Sequence, residues 1–66
     1  MDIRLNGAAR VVPPECSIAR LLEEAGLAGR RVAVEVNGEI VPRGAHPTHV
    51  LQDGDLVEIV HALGGG

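Results

Sequence analysis

The chain has 66 residues, enough for one domain with a small core, and 45% of them are hydrophobic although Phe, Tyr and Trp are all absent. Its formal net charge is -3, and the six cationic residues are all arginine (Arg4, Arg10, Arg20, Arg30, Arg31, Arg43), spread without a basic stripe, which argues against nucleic acid as a partner. The absence of lysine excludes a Schiff-base or phosphate-loop lysine, and a single cysteine, Cys16, excludes an internal disulfide.

In chain order, Met1-Asp2-Ile3-Arg4-Leu5 alternates polar and apolar residues and then meets Asn6-Gly7, the dipeptide best suited to a type I′ hairpin turn. Residues 8–12 are predicted to return as the second strand, ended by Pro13-Pro14, whose imide nitrogens cannot donate to a ladder. Ser17 is placed to cap a helix. Ile18, Leu21, Leu22 and Ala25 follow at i, i+3, i+4 and i+7, forming one apolar face, and Gly26 supplies the left-handed residue that closes the helix. Val32, Val34 and Val36 alternate with Ala33 and Glu35 as a third strand, which Asn37-Gly38 turns into a brief fourth, Glu39-Ile40-Val41, stopped at Pro42. Asp53-Gly54-Asp55 marks another turn. Residues 56–60 form the last strand, with Val57 and Ile59 on one face and Leu56, Glu58 and Val60 on the other. His61-Ala62-Leu63 and three consecutive glycines, Gly64, Gly65 and Gly66, follow it.

Strands grouped around one helix in this order predict an α+β fold, a β-grasp or ubiquitin-like roll with a mixed sheet. Its first and last strands should lie parallel in the middle of the sheet, joined by a right-handed crossover. We place the domain at residues 1–63 and a flexible tail at 64–66. No apolar run approaches the roughly 20 residues that span a bilayer, and no charged start precedes an apolar segment, so a soluble, cytoplasmic protein is expected.

Glycine averages roughly 7% of residues, so three together at one chosen place arise by chance on the order of once in three thousand sequences. Lacking a Cβ, such a tail can thread a narrow channel and leave its carboxylate open to attack; a frayed terminus is the plainer alternative. Elsewhere the sequence offers little catalytic apparatus, with no phosphate-binding loop, no H-E-x-x-H and no serine in a nucleophile elbow. His46 and His49 are separated by three positions with Pro47 between them, and read as a solvated loop rather than a zinc site. Cys16 precedes a helix start, a position that can lower a thiol pKa, but it reads as an ordinary small loop residue. Glu23-Glu24 and Asp53/Asp55 read as a helix's solvent face and a turn, with acidity that could orient the protein on a basic rim.

Four stretches together, the opening at residues 1–7, Val36-Asn37-Gly38-Glu39-Ile40-Val41-Pro42-Arg43, residues 52–60 and His61-Ala62-Leu63-Gly64-Gly65-Gly66, make the whole chain resemble the ThiS family. These are small sulfur carriers of thiamine (thiazole) biosynthesis. The resemblance implies that an E1-like adenylyltransferase (ThiF), using ATP and Mg, adenylates the terminal carboxylate of Gly66. Sulfur drawn from a cysteine desulfurase then converts it to a thiocarboxylate, and thiazole synthase (ThiG) receives the sulfur. By position Gly66 is the sulfur-bearing residue, while Gly64 and Gly65 enter the partners' active sites. The chain itself would be a protein co-substrate and not an enzyme, without catalytic residues, metal or bound cofactor. Leu56, Val60, Ala62 and Leu63 are apolar residues leading into the tail, with His61 adding a polar contact, and together form the expected partner interface. Two other readings are the small subunit of molybdopterin synthase (MoaD) and a TGS-type binding module. Short length and missing aromatics disfavour the first, acidity and the free glycine end the second.

Overall fold

The computed structural model describes residues 1–61. Its elements in chain order are β1 (Asp2–Leu5), β2 (Ala8–Val11), α1 (Ile18–Glu24), β3 (Val32–Val36), β4 (Glu39–Val41), a single 3₁₀ turn (Arg43–Ala45) and β5 (Leu56–His61). One five-stranded sheet has the order β2-β1-β5-β3-β4; β1 and β5 run parallel and the other neighbours antiparallel. The central parallel pair is the one that the sequence predicts. The proposed division at residues 63 and 64 lies outside the described residues, as do Ala62, Leu63, Gly64, Gly65 and Gly66.

Both hairpins form because their turn dipeptides tolerate what the turn demands. Asn6 and Gly7 have φ of 51° and 85°, and Asn37 and Gly38 have 53° and 86°, the two consecutive positive values of a type I′ turn. β2 stops at Val11, one residue short of the predicted end, since Pro13 cannot continue the ladder. Val12 nevertheless stays buried and tied to the first residue: its N–H donates to the Met1 carbonyl at 2.8 Å, and the Met1 ammonium donates to the Val12 carbonyl at 2.7 Å.

Helix α1 is defined at both ends by side-chain and backbone chemistry. Ser17 Oγ accepts from the Arg20 N–H at 3.1 Å, and beyond the Ala25 cap Gly26 takes φ 76°. Leu27 N–H then reaches the Leu22 carbonyl at 2.7 Å and Gly26 N–H the Glu23 carbonyl at 3.1 Å, which closes a Schellman motif. Ile18, Leu21 and Leu22 are buried against Ile3, Val34, Val36, Val41, Val57 and Ile59 from the sheet. Each such aliphatic side chain contributes on the order of 1.5–3 kcal/mol of burial, so a core without aromatic rings still holds a domain of this size.

The segment between β4 and β5 was not legible as structure, and it does more than connect. The first N–H groups of a helix have no partner within it. Here Ile18 N–H donates to the His49 carbonyl and Ala19 N–H to the His46 carbonyl, each at 3.0 Å, while Leu51 N–H donates to the Cys16 carbonyl at 2.8 Å. Drawn in by these bonds, the segment buries Leu51 and pairs Val50 with Ser17 in an isolated bridge. His46 is therefore not the solvated loop residue that the sequence suggests: it is 6% exposed, with its ring Nε2 at 3.0 Å from the Val41 carbonyl. His49 is half-buried and serves through its backbone.

Candidate functional site

Strand alternation divides the sheet into a face covered by α1 and an open face. On β5, Val57 and Ile59 point into the core, whereas Leu56 and Val60 are each 55% exposed on the open side with Glu58 between them. The register extends this surface across the sheet. Val60 lies opposite Ala33, Glu58 opposite Glu35, and Glu35 in turn opposite Ile40, which is 62% exposed. Leu56, Val60, Ala33 and Ile40 thus frame a pair of carboxylates. Of the expected interface residues, Leu56 and Val60 come together here. His61 is exposed but pairs in register with Val32, and alternation assigns it to the opposite face of the strand. Ala33 and Ile40 were not anticipated. For Ile40 the two-residue Asn37-Gly38 turn carried the signal, because it fixes Glu35 opposite Ile40; the pairing of Ala33 with Val60 depends on a long-range register.

β5 is held from both sides. Asn6 Oδ1 accepts from the Ile59 N–H at 2.8 Å, and Asn37 Oδ1 accepts from the Leu56 N–H at 3.0 Å. Asn37 Nδ2 also donates to Asp55 Oδ1 at 3.0 Å, and the other oxygen of Asp55 accepts from the Gln52 N–H at 2.8 Å. Asp53 Oδ1 accepts from the Asp2 N–H at 2.8 Å. The acidic turn before β5 is thus occupied in positioning the strand, and Glu24 is occupied by Arg20 at 2.9 Å on the exposed side of α1.

Neither Cys16 nor the histidines form a reactive centre. Cys16 is 2% exposed, and burial above all, with the Glu24 carboxylate second, raises its thiol pKa above the ordinary value, while Arg20 and Arg10 only partly oppose this. The direction is opposite to the lowering that a helix start can give, and desolvation is its largest cause. No cluster of three or more potential metal ligands occurs among the described residues.

A small roll with one helix, a central last strand and an exposed apolar patch on the open sheet face is a β-grasp protein of the ubiquitin-like kind, built to present a surface. The chain belongs to the ThiS family, whose sequence model matches residues 3–66. It is 30% identical over 66 residues to the sulfur carrier protein ThiS of Escherichia coli, covering 100% of both chains. A thiazole synthase of Paramagnetospirillum magneticum is 41% identical over the same 66 residues, but the chain spans only 20% of its length. The crystal structure of the thiamine biosynthesis protein ThiS from Geobacter metallireducens matches with a TM-score of 0.87 at 33% identity, over 100% of both chains.

Proposed function

We propose that this chain carries sulfur for thiazole formation in thiamine biosynthesis, as a protein co-substrate whose chemistry is supplied by partners. The observation that carries this reading is the match over 100% of both chains to the Escherichia coli sulfur carrier, within a family match that runs through Gly66. Gly66 is the proposed acceptor. Its carboxylate oxygen attacks the α-phosphorus of ATP on an E1-like adenylyltransferase of the ThiF kind, with Mg, and pyrophosphate leaves. A free carboxylate is a poor electrophile; the acyl adenylate has AMP as a good leaving group, which the outer sulfur of a persulfide supplied through a cysteine desulfurase displaces. A thiol reductant then cleaves the S–S bond of the acyl disulfide, itself becoming a disulfide. The resulting thiocarboxylate is anionic at neutral pH and delivers sulfur to a thiazole synthase of the ThiG kind. The 41% identity to part of a protein named thiazole synthase supports that acceptor.

The fold supports the reading mechanically, since residues 56–61, the last that the structure describes, form a central strand pinned on both flanks. Gly64 and Gly65 would enter the partners' active sites, with Leu56, Val60, His61, Ala62 and Leu63 contributing contacts around them.

Intact-mass measurement tests the proposal after incubation with the adenylyltransferase, desulfurase, ATP, Mg and cysteine. The mass should rise by the difference between sulfur and oxygen, located on the last residue. Conversion of a chain lacking Gly66, or no conversion of the intact chain, would refute it.

A further inference from the structure

The chain contains two asparagines, Asn6 and Asn37, and a glycine follows each of them. The pairing that suits a tight turn is also chemically labile. With no Cβ to hinder it, the glycine nitrogen can give its proton to hydroxide and attack the asparagine Cγ. The Cγ–Nδ2 bond then breaks, ammonia leaves with a proton from water, and a second water opens the five-membered imide to aspartate or, at its other carbonyl, to isoaspartate. Both dipeptides are exposed, so water and hydroxide reach them.

In the folded protein each side-chain amide must leave its hydrogen bonds before Cγ can turn to the glycine nitrogen, so local opening sets the native rate. The two sites differ in that opening. Asn6 is held by the N–H and carbonyl of Ile59 through part-buried bonds. Asn37 is held by the Leu56 N–H and the Asp55 carboxylate through solvent-exposed bonds, which water replaces at less cost.

We infer that Asn37 is the site at which the folded protein ages, and that its deamidation turns a clamp on the start of β5 into a repulsion. An acid at position 37 puts an oxygen where Nδ2 stood, 3.0 Å from Asp55 Oδ1, and two carboxylates so close repel. Asp55 cannot turn aside without giving up the Gln52 N–H that its other oxygen accepts at 2.8 Å. The isoaspartate product adds a carbon to the backbone and spoils the two-residue turn between β3 and β4. At position 6 the same change is milder, since the new oxygen meets only the Ile59 carbonyl, from the longer distance of 3.4 Å. A molecule modified at Asn37 therefore loses its hold on the Leu56 end of β5 while Asn6 still grips Ile59.

Peptide mapping by mass spectrometry, with isoaspartate resolved, tests this on the full chain incubated at mildly alkaline pH, both native and unfolded in guanidinium. Unfolded, the two sites should convert at similar rates. Native, both should slow, with Asn37 several-fold ahead of Asn6. Asn37→Asp should lower the melting temperature more than Asn6→Asp does. Combining Asn37→Asp with Asp55→Asn, which returns an amide donor opposite the acid, should regain most of that loss. Native conversion at Asn37 no faster than at Asn6 would overturn the inference, as would a double variant no more stable than Asn37→Asp alone.

Discussion

Asn6 and Ile59 lie 53 positions apart and exchange two hydrogen bonds: the Ile59 N–H donates to Asn6 Oδ1 at 2.8 Å, and Asn6 Nδ2 donates to the Ile59 carbonyl at 3.4 Å. A side chain thereby continues the parallel β1–β5 pairing after the backbone of β1 has entered its turn. Asn37 repeats the device on the other flank, with its backbone N–H on the Leu56 carbonyl at 2.7 Å and its Oδ1 on the Leu56 N–H. Each asparagine therefore has two duties, a positive φ in a turn and a clamp on the central strand.

Glycine at position 6 separates those duties, since it accepts the positive φ and removes the clamp. Asn6→Gly should lower stability by about 1–3 kcal/mol, the usual consequence of leaving a partly buried donor unpaired. Urea unfolding measures the loss, and hydrogen exchange should show it concentrated at the Ile59 amide. An Ile59 amide as protected as in wild type would mean that the clamp contributes little.

His46 should matter far more than its neighbour in sequence spacing, His49. His46→Ala removes a buried ring and leaves the Val41 carbonyl without its partner, so the loss should again be on the order of 1–3 kcal/mol. His49→Ala, whose contribution is a carbonyl that alanine retains, should stay within about 0.5 kcal/mol. Chemical denaturation of the two variants side by side checks the ranking.

Cys16 should be slow to react. Its raised pKa and 2% exposure predict that iodoacetamide at neutral pH alkylates the native protein much more slowly than the urea-unfolded chain. The sign of the pH effect follows from linkage: the folded state holds the thiol proton more tightly than the unfolded state. That contribution is intact below the ordinary value of 9.0 and declines as pH rises from there through the folded pKa. Cys16→Ala should flatten the alkaline decline in denaturation midpoint, and a decline unchanged by the substitution would assign it to other groups.

Gly65→Ala isolates the geometry of the proposed tail from its chemistry. The substitution keeps the terminal carboxylate and adds one methyl that penalises positive φ. Acyl-adenylate formation and thiocarboxylate yield should fall by up to about a hundredfold, as a small misplacement of reacting atoms can produce, while the melting temperature stays unchanged. Wild-type rates would reduce the glycines to a flexible end.

What could be read in advance was what is local. The hairpins were legible because Asn6-Gly7 and Asn37-Gly38 specify their turns within four residues, and the helix because Ser17, the Ile18/Leu21/Leu22 spacing and Gly26 encode its start, face and stop. The burial of His46 was not legible, because it follows from carbonyls recruited to the helix start from a distant segment. Cys16 reads in the sequence as an ordinary small loop residue, and only packing reveals that it is buried in the core with a desolvated thiol. The opposed Glu35 and Glu58 depend on how β3 slides against β5, a long-range choice invisible to periodicity. For the tail, three consecutive glycines suggest a threaded terminus with an open carboxylate, while the proposed sulfur chemistry on it came from resemblance to a family.

The place of β5 between β1 and β3 also fixes when this protein can fold during its synthesis. A nascent chain that has released β1 to β4 holds two hairpins with no strand to join them, and an isolated hairpin is at best marginally stable in water. Only emergence of residues 56–61 completes the sheet, at the entropic cost of closing the longest loop in the domain. A chain that terminates early therefore loses the fold together with everything beyond it, so an incomplete copy has no assembled sheet face with which to occupy a partner.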